Sequence, residues 1–377
     1  MNSVEIRKNI LSNVRRIVVK LGSSVVTTDK GLDRKIIRGI SDEICDYNKL
    51  GKEFIIVSSG AVAAGVRRMG LKDGTRTIPQ KQAAASIGQS RLMAAYDEAF
   101  SRHGGRVGQM LLTRDDLTNR RRYLNARNTL TTLLSWGVTP IINENDTVVV
   151  DEIKLGDNDN LSALVAVMAS ADLLLTLTDM EGLMDCDPRL NPNACLIEVV
   201  EDITMEIRGL ARGASSAVGR GGMASKIDAA DKVRMSGIPM IISKGKTPHL
   251  ISRVLSGEMI GTLILPAKEK ISARKHWIRY GLDPEGSVYV DMGAANAVSR
   301  KGKSLLPIGV TKVEGEFEDG SAIRILSSKG EALAVGLINY SSDEIRKIMG
   351  HQTAEIDWVL GYRRDDEVVH ADNLVLL

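Results

Sequence analysis

The sequence predicts an α/β fold, with a mainly parallel sheet sandwiched by helices over residues 1–268 and a small β-rich, barrel-like domain over 275–377. Strand-like and helix-like patterns alternate from about residue 15 to residue 265. That order stacks helices on both faces of a parallel sheet. Polar and glycine-rich segments fall at the strands' carboxyl ends, where such sheets bind ligands. Near residue 270 the alternation stops, and short β-rich runs punctuated by turns follow. A chain of 377 residues also exceeds what one core usually fills.

Ile17 to Leu21 is a short apolar strand ending in Gly22. Ile36, Ile37, Ile40 and Ile44 share one face of a helix reaching Leu50. Phe54 to Val57 is the next strand, closed by Ser58-Ser59-Gly60. Helix, strand, helix and strand follow as Ala83 to Phe100, Val107 to Leu112, Tyr123 to Trp136 and Val138 to Ile142. Leu161 to Ala169 is a helix and Leu173 to Thr178 a strand. Ile227 to Met235 is helical, Pro239 to Ile242 a strand and Ile251 to Leu255 a short helix. Lys268 to Arg279 is a charged linker. Beyond it, Ser287 to Val290, Ala297 to Val298, Gly309 to Glu314, Ala322 to Leu326 and Ala332 to Ile338 read as β runs, and Ser342 to Met349 as a helix.

Composition removes several function classes. Aromatic residues make up only 3%, which leaves few for a base-stacking surface, and a net charge of +3 is too small to imply a nucleic-acid partner. The three cysteines, Cys45, Cys186 and Cys195, are too few and oddly numbered for a disulfide framework. A reduced cytoplasm fits them. No stretch approaches the roughly 18 apolar residues of a membrane span, and the five histidines do not cluster at metal-ligand spacing.

The densest chemistry lies at 143–160, between an apolar strand and an apolar helix. Carboxylates and carboxamides there suit a small ligand with both an amine and a carboxylate. Asp146 is placed to pair with an ammonium. Asn158, near a helix N-terminus, is placed to donate to a carboxylate. A polar hairpin with Asn160 as N-cap is the plainer alternative. The second string is Gly219-Arg220-Gly221-Gly222-Met223-Ala224-Ser225-Lys226, a glycine-rich loop opening a helix with a lysine in its first turns. Bare backbone N–H groups approach phosphate oxygens, and the lysine adds a point charge. It is not a Walker A loop. Gly302-Lys303-Ser304 has Ala297 where the first glycine belongs, so it reads as a turn between strands.

Lys20 ends a buried strand, where a charge aimed at phosphates explains it better than snorkelling. Phosphoryl transfer is mostly positioning and charge neutralisation. A carboxylate nucleophile is already ionised at pH 7 and needs no base. Lys20, Lys226, Mg²⁺ and a carboxylate to orient the lysines then suffice, with Asp159 the candidate carboxylate. Thr178-Asp179 fits a nucleoside-binding edge and fits an ordinary loop equally well.

Together, Val18 to Ser24, Ser59-Gly60-Ala61, Gly108 to Thr113, Asn143 to Asp146, Gly156 to Asn160 and Gly221-Gly222-Met223 with Lys226 resemble the glutamate 5-kinases, in order and over nearly the whole chain. The part after 270 resembles the PUA domain that many members carry. The resemblance implies an amino-acid kinase fold and ATP-dependent phosphorylation of the γ-carboxylate of L-glutamate, the first step of proline biosynthesis. It implies that Lys20 and Lys226 contact ATP phosphates and that Ser59, Asp146 and Asn158 hold glutamate. Thr178 and Asp179, with Arg220, Gly221, Gly222, Met223, Ala224, Ser225 and Lys226, would border the nucleotide. It further implies Mg²⁺ dependence, a homo-oligomer (dimer or tetramer), inhibition by proline and a cytoplasmic location. Arg220 departs from the small residue or threonine usual before Gly-Gly-Met, so it receives no catalytic role.

A kinase of aspartate, N-acetylglutamate or a nucleotide is the nearest competitor. An acidic Asp146 favours a free amine over an acetylated one. An RNA-binding role for the C-terminal domain is the other. Residues 275–377 hold 12 Lys and Arg against 16 Asp and Glu, a net −4, which opposes phosphate binding there.

Overall fold

The computed structural model describes residues 2–71, 77–148, 158–212, 222–268, 275, 277–301 and 303–377. The chain divides into two compact units, Met1–Lys270 and Ile271–Leu377.

The first unit is built on strands β1 (Arg16–Leu21), β4 (Glu53–Ser58), β5 (Arg106–Leu112), β6 (Val138–Glu144), β7 (Leu173–Thr178), β8 (Val199–Val200), β9 (Met240–Lys244) and β10 (Thr262–Ile264). Their order across the sheet is β5-β6-β4-β1-β7-β9-β10-β8. All pairs are parallel except β9 with β10. A two-stranded hairpin, β2 (Thr27–Thr28) with β3 (Gly31–Leu32), stands apart. Side chains alternate across a strand. Val18 of β1 joins one core layer, while Ile17, Val19 and Leu21 join the other. Lys20 shares the parity of Val18, which places it on the face covered by helices α8 (Asn158–Met168) and α10 (Met223–Met235). The opposite face is covered by α1 (Ser3–Ser12), α3 (Arg34–Lys49), α5 (Ile78–Ser101) and α11 (Leu250–Leu255).

Helix α4 (Ala61–Arg68) starts directly after the β4 turn, where Gly60 takes φ 103°. It packs against α5 with no side chain between the backbones. A Cβ on Gly65 would sit 1.8 Å from the Ala84 carbonyl oxygen, and one on Gly88 would sit 1.8 Å from that of Ala61. This contact fixes α4 beside the carboxyl ends of β4 and β6.

Several elements differ from the sequence expectation. Helix α5 starts at Ile78, because Thr77 and Gln80 form a capping box. Helix α8 starts at Asn158, so Asn160 lies inside the first turn rather than at the N-cap. Its Oδ1 accepts from Lys232 Nζ. α1 was not foreseen: its Arg7, fully buried, donates to the carbonyls of Glu258, Ile260 and Gly261.

The second unit is a five-stranded sheet, β12-β11-β13-β14-β15, formed by β11 (Gly286–Val290), β12 (Val310–Glu314), β13 (Ala322–Ser327), β14 (Ala332–Leu337) and β15 (Leu374–Leu376). Helices Met292–Lys301, Ser342–Ile348 and Ile356–Leu360 accompany it. Ala297 and Val298, read as a β run, lie in the first of these helices. A two-residue apolar run has no period, and Val298 is buried in the core as a helix residue. Ser304 accordingly follows a helix, not a strand.

Candidate active site

The carboxyl ends of β1, β4, β6 and β7 converge on one region, and α8 and α10 bring their first turns to it. At its centre is Asp159, which is 0% exposed. Lys20 Nζ contacts Asp159 Oδ1, and Lys226 Nζ donates to Asp159 Oδ2 at 3.2 Å. Ser225 Oγ donates to the same Oδ2 at 2.8 Å. Both lysines are nearly buried, at 4% exposure each. Among the described residues, two ammonium groups and one carboxylate leave a net positive cluster. That is the charge needed to receive an anionic, phosphorylated ligand in a place water barely reaches. The lysines come from β1 and α10, and Asp159 spaces them.

Helix α10 opens at Gly222, whose N-cap conformation uses no side chain. The helix presents bare N–H groups beside this cluster. Gly222 is exposed, while Met223, Ala224 and Ser225 are partly buried. Thr178 ends β7 buried, and its hydroxyl donates to Asp179 Oδ1 at 3.0 Å. Asp179 is exposed. Among the described residues, neither Thr178 nor Asp179 hydrogen-bonds to Gly222–Lys226. Arg220 and Gly221 lie outside the described residues, as does 149–157 of the acidic stretch.

Next to the cluster lies a cavity of about 410 Å³. Ser59, Asn143, Asp146 and Asn158 form its polar wall, and α4 supplies an apolar wall ending at Arg67. Burial holds the Asp146 carboxyl above the ordinary carboxylate range. Among the described residues it forms no ion pair. Asn158 Nδ2 donates to Ser59 Oγ at 2.6 Å and to Asn143 Oδ1 at 3.0 Å. Asn143 Nδ2 donates in turn to Gln89 Oε1 at 2.9 Å. Ser58, one residue before Ser59, shares a hydrogen bond of 2.9 Å with the buried Tyr96 hydroxyl.

The structure thus brings Lys20, Ser225 and Lys226 onto the Asp159 carboxylate, and Ser59, Asp146 and Asn158 onto one cavity. Asn158 and Asp159 are consecutive on α8 and join the two. Gln89 and Asn143 were not among the candidate residues. Gln89 sits in an Ala- and Gly-rich helix with nothing local to mark it. Asn143 was visible inside the Asn143 to Asp146 motif.

Residues 15–244 match the model of the amino acid kinase family, and residues 286–360 match that of the PUA domain. The glutamate 5-kinase of Citrifermentans bemidjiense is 53% identical over 372 residues, covering 98% of this chain and 100% of that protein. Those of Geobacter sulfurreducens and Syntrophus aciditrophicus are 52% and 47% identical, over 98% and 99% of this chain and 100% and 97% of their own. Among solved structures, a UMP kinase from Ureaplasma parvum aligns over 67% of this chain and 99% of its own, with 14% identity and a TM-score of 0.47.

Proposed function

Because the chain belongs to the amino acid kinase family and, within it, to the glutamate 5-kinases, we propose that it transfers the terminal phosphoryl group of ATP to the γ-carboxylate of L-glutamate. The product is L-glutamyl 5-phosphate, the first intermediate of proline biosynthesis. The observation that carries the chemistry is the buried Asp159 carboxylate with Lys20 and Lys226 both on it.

In the transfer, a γ-carboxylate oxygen forms a bond to the terminal phosphorus. The bond to the bridging oxygen breaks, and ADP leaves. Glutamate is ionised at neutral pH, so no side chain has to remove a proton. Lys20 and Lys226 neutralise charge on the phosphate oxygens, and Asp159 holds the two ammonium groups apart on either side of the path. The bare N–H groups at the start of α10 face the nucleotide phosphates. Thr178 and Asp179 border the nucleoside. Asp146 takes the ammonium of glutamate, and Ser59 and Asn158 complete its seat.

Mg²⁺ accompanies ATP in this reading, and when bound it shields the phosphate charge. Such a cation would keep several waters and be held by the substrate phosphates with one or two carboxylates. Proline, with an ammonium and a carboxylate on one carbon, fits the Asp146 end of the cavity as a feedback inhibitor. A homo-oligomer in the cytoplasm belongs to the same proposal. No helix among the described residues is long and apolar enough to cross a membrane.

The test is ATP consumption with Mg²⁺ and L-glutamate, L-aspartate, N-acetylglutamate or UMP, with acyl phosphate trapped by hydroxylamine. Hydroxamate from glutamate alone is expected. Turnover of another substrate in its place moves the specificity and leaves the phosphate site intact.

A further inference from the structure

The amide network beside the cavity has a direction, and a backbone group sets it. A backbone N–H can only donate. That of Glu144 donates to Asn143 at 2.9 Å, which fixes that end of the Asn143 side chain as oxygen. The other end is a donor, and it meets Gln89 Oε1. Asn143 Oδ1 also faces Asn158, so Asn158 must turn its nitrogen that way. A carboxamide nitrogen carries two hydrogens. Asn158 gives one to Asn143 and the other to Ser59 Oγ. What remains is Asn158 Oδ1, a buried acceptor with no partner among the described residues.

We infer that Asn158 meets the substrate as an acceptor, taking a hydrogen bond from the α-ammonium alongside Asp146, and that Gln89 is the positioning residue that, together with the Glu144 N–H, holds this polarity. The role rests on the glutamate reading proposed above. It reverses the expectation that Asn158 donates to a carboxylate. Gln89 does not line the cavity. It projects from α5, is 9% exposed, and follows Gly88, whose missing side chain lets α5 lie against Ala61. Asn143 cannot rotate its amide without losing both Glu144 N–H and Gln89. While Asn143 is held, Asn158 is held too. An ammonium has three hydrogens, and Asp146 and Asn158 Oδ1 would receive two of them. A site built to hydrogen-bond a group rejects analogues lacking it, because its own polar atoms are left unpaired.

The experiment compares L-glutamate as substrate with glutarate as a competing ligand. Glutarate keeps both carboxylates and lacks the amine. Wild type, Gln89→Met and Gln89→Glu are assayed by hydroxamate formation. Methionine keeps the length without a hydrogen bond, and glutamate keeps an oxygen facing Asn143. In Q89M the KM for glutamate should rise about tenfold. The inhibition constant for glutarate and the KM for ATP should move less than about twofold. Q89E should restore most of the preference for glutamate. A Q89M enzyme with the wild-type preference overturns the inference. So does an equal loss in both variants, since Gln89 would then act only by packing. If Q89M fails to fold on thermal melting, Q89E decides: retained preference supports the acceptor polarity, and lost preference overturns it. A wild type inactive on glutamate sinks the glutamate reading itself and takes this inference with it, an outcome visible before any substitution is made.

Discussion

The two halves of the site solve different problems with different chemistry. The half formed by β1, α8 and α10 is charged: Lys20 and Lys226 close on Asp159, all nearly or fully buried. The half along β4, β6 and α5 holds Asp146 and a chain of neutral amides and hydroxyls that runs from Gln89 through Asn143 and Asn158, at the start of α8, to Ser59. Charge in a water-poor place acts strongly on other charge and tolerates some displacement. Neutral hydrogen bonds are weaker but directional, so they can sort ligands by which atoms donate. Rate should therefore reside in the first half and selection in the second.

Lys226→Ala should break the comparison hardest. Turnover should fall about 10³-fold, with the glutamate KM changed less than about threefold, because the lost interaction grows in the transition state. Steady-state kinetics with both substrates measures this; an equally active variant rules out the charged half as the source of rate. Asp159→Asn comes next. It leaves two buried ammonium groups without their carboxylate, and breaking such pairs costs about 3–5 kcal/mol. Calorimetry should show a lower Tm, and turnover should drop about 100-fold; a variant with unchanged Tm would show that the lysines do not depend on Asp159.

Asp146→Asn sharpens the contrast, since it removes a charge from the selecting half. The glutamate KM should rise about tenfold with turnover nearly kept. Stability should move the other way. Burial raises the Asp146 pKa in the folded protein. Such a group contributes its full stability below the ordinary carboxylate pKa and loses it as pH rises through the raised folded value. Without glutamate, the variant should melt above wild type at pH 7, and the gap should close below about pH 4. Melting curves at both pH values check the sign. Ser59→Ala is the smallest change. It takes one acceptor from Asn158 and should raise the glutamate KM about threefold; a loss of turnover there instead would blur the division between the halves.

The charged half was legible in the sequence, and the neutral half only in part. Lys20 stood out because a lysine ending a buried strand is anomalous. Lys226 followed a glycine run, and Asp159 opened an apolar helix. Asn143 and Gln89 are 54 positions apart and meet only because α5 crosses behind the strand ends. The polarity of Asn158 depends on a backbone N–H at Glu144, which no side-chain pattern reports. The long strands and helices of the first unit appeared through their periodicity. Helix α1 has only Arg7 and Leu11 buried, so its apolar stripe was too thin to see. Strands β8 and β10, with two and three residues, are too short to show a period. Helix α4 spans only eight residues, and its buried stripe of Ala61, Ala64 and Gly65 is made of small residues that do not mark a core face.

The bare contact between α4 and α5 makes the width of the cavity a remote property. Two hydrogen atoms, one on Gly65 and one on Gly88, set how near α4 can stand to its neighbour. A methyl group at either place would have to displace a backbone, and the wall carrying Ala63, Val66 and Arg67 would travel with it. A lineage could thus retune which amino acids fit by substitutions that never meet the ligand. Surveys of the cavity lining alone would misplace the origin of such a change.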